Sequence, residues 1–100
     1  MKVYVVVETF LGWKIPEIKG VYKNREKAEE IKNNYRFAFV DEQNLIQTQA
    51  EKTQTEVYVI VELLKLNVPN VVGVFKNKLL AEEMATDCKY DAHVIEEKLI

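Results

Sequence analysis

VYVVVE, Val3 to Glu8, returns almost unchanged as VYVIVE, Val57 to Glu62. Self-similarity at a fixed offset marks a repeated structural unit, so this recurrence governs how the rest of the chain is read. The same blocks follow each copy in the same order. Pro16 is answered by Pro69, and KGVYKN (Lys19 to Asn24) by VGVFKN (Val72 to Asn77). AEE (Ala28 to Glu30) returns at Ala81 to Glu83, and AFVDEQNLI (Ala38 to Ile46) returns as AHVIEEKLI (Ala92 to Ile100). The offset is 54 residues, then 53, then 54. Four ordered matches point to a tandem duplication.

Each copy carries the same local signals. VYVVVETF alternates and is rich in β-branched residues, which predicts a strand with Val3, Val5 and Val7 on one face and Tyr4, Val6 and Glu8 on the other. Gly12 and Pro16 break the chain into a loop. Glu17 to Lys23 then reads as a second strand, pairing with the first as a hairpin. Asn24 suits a helix N-cap, and REKAEEIKNNY follows at helical period with Ala28 and Ile31 inward. Phe37 to Asn44 completes the unit as a third strand. Copy two predicts strands at 57–64, 71–76 and 91–98, a cap at Asn77 and a helix at 78–88. The expected fold is α+β: a duplicated β-β-α-β unit with about six mostly antiparallel strands, two helices and a pseudo-twofold axis. Residues 1–46 form the first repeat, 47–55 a polar linker (QTQAEKTQT lies within it) and 56–100 the second repeat. About 45 residues rarely bury enough surface to fold alone. Both repeats are therefore expected in one compact unit, joined edge to edge or packed face to face.

Composition excludes several chemistries. Of 100 residues, 48% are hydrophobic and 30% charged, the balance of a globular chain. The net charge of −2, with only Arg25 and Arg36 as arginines, argues against nucleic-acid binding through a broad basic surface. There is no serine, one histidine (His93) and one cysteine (Cys88). Serine nucleophiles, His-pair or Cys-rich metal sites and internal disulfides are thereby removed. No apolar run approaches the ~18 residues of a membrane span. MKVYVVVETF lacks the cleavage site of a signal peptide, so a cytoplasmic location is expected.

No residue set reads as catalytic, metal-binding or cofactor-binding, and a non-enzymatic chain is expected. Glu8 and Glu62 occupy equivalent strand ends; their plain reading is a solvated face, their functional one a ligand-facing pair. Cys88 lies on the apolar stripe of the second helix, and His93 stands where copy one has Phe39, so both read as packing positions. Gly20 and Gly73 fall inside strand patterns and suggest a bulge or a close approach. One helix per copy covers only one sheet face, yet both faces of the first strands are apolar. Tyr4, Val6 and Phe10, with Tyr58, Ile60 and Leu64, are therefore candidates for an interaction surface. Trp13 in the first loop joins them as a hot-spot candidate. Leu79 and Leu80 replace Glu26 and Lys27 on the second helix, which widens its apolar arc and adds Leu79 to the surface.

The pattern VYVVVE, GVYKNREKAEE and AFVDEQNL resembles small uncharacterised proteins of bacteria and of their phages and prophages. In these a strand is followed by G-[VI]-[YF], an AEE-type charged helix and a Glu-rich closing strand. The resemblance implies a β-β-α-β scaffold and a phage or mobile-element origin, and carries over no catalytic residue. The functional expectation is a non-enzymatic protein-interaction module acting on a protein partner or on a second copy as a homodimer, with inhibition or modulation of a host protein as the role a phage origin implies. The alternative is a small-molecule or nucleotide binder with a pocket between the repeats, where Tyr4, Tyr58, Glu8 and Glu62 would converge.

Overall fold

The computed structural model describes residues 1–9, 16–64 and 68–100. Its elements run β1 (Lys2–Glu8), β2 (Glu17–Tyr22), α1 (Arg25–Lys32), β3 (Ala38–Ile46), a short 3-10 helix (Gln49–Glu51), β4 (Glu56–Leu63), β5 (Pro69–Phe75), α2 (Lys78–Thr86) and β6 (Asp91–Lys98). The fold is α+β, with six strands in one mixed sheet of order β2-β1-β3-β5-β4-β6 and two helices. Phe10 and Trp13 lie outside the described residues.

β1 pairs antiparallel with β2 and β3, and β4 with β5 and β6. Each is thus the middle strand of three, which explains its apolar residues on both faces: a middle strand has two faces to cover. The two triplets meet where β3 runs parallel to β5, with Leu45 opposite Val74 and Ile46 opposite Phe75. The sheet curls until its two outermost strands also meet. Val21 of β2 bridges Leu99, just beyond β6, in parallel. The Ile100 amide donates to Val21 and the Lys23 amide to Ile100, both at 2.9 Å.

Curling turns one face of the sheet inward. There Val3, Val5, Val7 and Val21 share a cluster with Val57, Val59, Val61 and Val74. The cluster draws on strands from both ends of the chain, and each fully buried valine contributes about 1.5 kcal/mol or more. The helices cover the outer face. Ala28 of α1 packs on Val6 and Tyr22; Ala81 of α2 packs on Ile60 and Phe75. Both helices start at an asparagine whose Oδ1 accepts from the third residue on: Lys27 N to Asn24 at 3.1 Å, Leu80 N to Asn77 at 3.0 Å.

The polar stretch after β3 is anchored. Lys76 is almost fully buried, and its ammonium donates to the carbonyls of Glu51 (3.2 Å) and Lys52 (3.0 Å). Gln54 donates to the Lys76 carbonyl at 2.6 Å. The segment is largely exposed, yet a buried cation with two carbonyl acceptors ties it to the end of β5. No helix among the described residues is long and apolar enough to cross a membrane.

Candidate interaction surface

Curling decides which apolar residues remain outside. Val6 and Ile60 are fully buried, so the expectation that they form surface is corrected. They sit on the outer sheet face, but the helices lie directly over them. Tyr4 and Tyr58 are half-buried on the same two faces, packed against those clusters. Leu64 is half-buried at the end of β4, its amide donating to the Val68 carbonyl.

Glu8 and Glu62 do not converge, which corrects the pocket expectation. Glu8 lies opposite Ala38 and Glu62 opposite Ala92, each on its own outer face, because the inward direction is taken by the valine triplets. The Lys19 ammonium lies between Glu8 (3.5 Å) and Glu17 (3.0 Å) and 4.9 Å from the Tyr35 ring. Glu17, closest in effect, raises the Lys19 pKa. Glu62 is buried and accepts the Tyr90 amide at 3.2 Å. Glu8 is thus an ion-pair partner of Lys19 and Glu62 a backbone acceptor.

Nucleophile chemistry finds no footing at Cys88. Its thiol donates to the Met84 carbonyl; burial, then the charges of Glu62 and Asp87, push its pKa up, opposite to what a thiolate requires. His93 contacts Asp91 at 3.1 Å on the inner face, opposite Val61. No group of three metal-ligating side chains occurs among the described residues.

The inner face holds polar residues that sequence reasoning missed. Side chains directly opposite in an antiparallel pair share a face, and Asp41 and Gln43 lie opposite Val5 and Val3. The Gln43 amide donates to Asp41 at 2.7 Å and to the Val71 carbonyl at 3.1 Å. Gln43 thereby links β3 to β5 beyond the two ladder positions at Leu45 and Ile46. Glu97, opposite Val57 on β6, is the corresponding position in the second half. Burial raises its pKa. The signal was the alternation itself: reading β3 and β6 against the β1 and β4 register puts these residues inward.

Among the described residues, the exposed large apolar side chains on regular elements are Phe39 and Ile46 at the two ends of β3 and a group of three on α2. Leu79 is 66% exposed, Leu80 38% and Met84 41%. Their counterparts on α1 are Glu26, Lys27 and Ile31. Leu80 and Met84 are one helical turn apart and form a continuous strip. No family model, no curated protein and no solved structure matches the chain.

Proposed function

We propose that the chain is a tandem duplication of a β-β-α-β unit serving as a non-enzymatic, cytoplasmic protein-interaction module, of the kind a phage or prophage uses to bind and block a host protein. The duplication reading is supported by equal registers: Val3, Val5 and Val7 face Gln43, Asp41 and Phe39 as Val57, Val59 and Val61 face Glu97, Ile95 and His93. Leu45–Val74 and Val21–Leu99 close the sheet in the same parallel sense.

The observation that carries the interaction reading is the asymmetry between the helices. α1 ends its burial at Ala28 and a half-buried Ile31 and is otherwise charged. α2 turns Leu79, Leu80 and Met84 toward solvent, although the sheet beneath is already covered by Ala81 and Ala85. Exposed aliphatic side chains at helical spacing add nothing to the core and suit a partner's groove or helix.

The test is quantitative co-purification from host lysate with wild-type and Leu79→Glu/Met84→Glu baits, and the melting temperature of each measured alongside. Partners captured by the wild type and lost by an equally stable variant support the module. Identical recoveries from both baits would overturn it.

A further inference from the structure

The two outer faces satisfy their charges differently, and the difference describes a partner. On the first half Glu42 lies opposite Tyr4. It receives Lys2 Nζ at 2.8 Å and Arg25 at 3.8 Å, and the Arg25 guanidinium lies 6.0 Å from the Tyr4 ring centre. This half supplies its own cations.

On the second half Glu96 lies opposite Tyr58 in the same register. Glu56 stands where Lys2 would stand, with Lys98 opposite it on β6, and Lys78 takes the place of Arg25 at the first helical position; among the described residues neither lysine lies within ion-pair distance of Glu96. Burial, then Glu96, then the charges of Glu56 and Glu82 push the Tyr58 pKa up. Among the described residues, Glu56, Glu82 and Glu96 have no ion-pair partner. The exposed apolar residues of α2 sit in the same setting. Leu79 has Glu82 and Glu83 three and four positions on, and Met84 has Asp87 three on, each a neighbour on the helix surface. A second copy of this chain is a poor occupant, since a twofold contact sets a surface against itself and would bring these carboxylates together.

We infer that α2 and the adjoining outer face dock a partner segment carrying Arg or Lys among apolar side chains. One cation of that segment takes the position beside Glu96 that Lys2 holds beside Glu42. This rests on the interaction-module reading and adds the chemistry of the partner.

Fluorescence anisotropy tests it with two labelled helical probe peptides, one built of Leu and Arg, the other of Leu and Glu. The proteins are wild type, Glu82→Gln/Glu96→Gln, Leu79→Ser and, on the first half, Glu42→Gln, each with its melting temperature recorded. The expected result is binding of the Leu/Arg peptide that weakens with salt. It falls about three- to tenfold in the Glu82→Gln/Glu96→Gln variant, as loss of exposed ion pairs predicts. It also falls in Leu79→Ser and is unchanged in Glu42→Gln. Equal or better binding of the Leu/Glu peptide, lost only in Leu79→Ser, overturns the cationic partner and leaves the module standing. Equal response of all variants, or of Glu42→Gln as much as the second-half variants, overturns both. A concentration-dependent dimer disrupted by Leu79→Ser likewise overturns the basic partner in favour of self-association.

Discussion

Val21 and Leu99 form a parallel bridge between the strands at opposite ends of the sheet order. Their counterparts Val74 and Leu45 make the other junction. With both seams closed at these points, the valine faces of β1 and β4 turn on one another, and among the described residues no large apolar sheet face is left over. The large apolar side chains left exposed on regular elements are then those of α2, with Phe39 and Ile46 on β3. That explains why strand residues that read as surplus from the sequence are interior.

The bridge is expected to carry stability. Leu99 packs on the inner cluster while half-buried. Leu99→Ala should cost about 1–3 kcal/mol, below the full range for a wholly buried leucine. Denaturant titration measures the loss. Hydrogen exchange should quicken first at the amides of Lys23 and Ile100, whose bonds close this seam, before amides of the β1–β3 ladder. Uniform acceleration along the chain would contradict a local seam.

Glu97 predicts a pH dependence. Burial raises its pKa above the ordinary 4.5, so the folded chain holds this proton more tightly than the unfolded one. The favourable contribution is present below the unfolded value and is lost as pH rises through the raised folded value. Glu97→Gln places an amide where the first half has Gln43. The variant should gain stability relative to wild type as pH is raised from acid to neutral. Taking the difference between the two proteins removes the opposite contributions of Glu42, lowered by its bond to Lys2, and Glu51, lowered by the Thr48 amide. A difference in melting temperature that stays constant with pH would refute the assignment.

Strands and caps were legible because they follow from short-range chemistry. β-Branched alternation gave β1 and β4, and the expected 91–98 coincides with β6. Asn24 and Asn77 cap as the side chain requires. Curling was not legible, because alternation tells that Val5 and Tyr4 face opposite ways but not which way is in. The docking of the polar stretch was hidden too, since Lys76 resembles its exposed counterpart Lys23 until the carbonyls of Glu51 and Lys52 are placed around it. Of the candidate-surface residues that the structure describes, only Leu79 stands well exposed, and its signal was a difference between copies rather than a property of either.

The two strand glycines should respond unequally to substitution. Both sit at a register shift, opposite Val6 and Ile60, beneath the aromatic ring two residues on. A Cβ at Gly20 would lie 2.5 Å from the Tyr22 hydroxyl oxygen, and its φ of +143° disfavours any side chain; a Cβ at Gly73 would lie 2.9 Å from the Phe75 ring without that strain. Backbone strain of this kind costs about 1–3 kcal/mol. Gly20→Ala should therefore destabilise more than Gly73→Ala by about that margin in matched denaturation curves, and equal losses would show that ring displacement alone sets the cost.

Lys76 supplies the last prediction. Its stem is enclosed and its ammonium is the donor to two carbonyls. Lys76→Met keeps the stem's bulk and removes the donors, leaving the Glu51 and Lys52 carbonyls to find water. Hydrogen bonds from a charged group are worth about 1.5–3 kcal/mol, and solvent access to the segment offsets part of that, so a loss of about 1–2 kcal/mol is expected. Local release should exceed global loss. Trypsin should cut after Lys52 sooner in the variant than in wild type at a temperature where both remain folded by circular dichroism. Unchanged cleavage at that bond, with stability lowered, would mean that Lys76 supports β5 rather than the segment it holds.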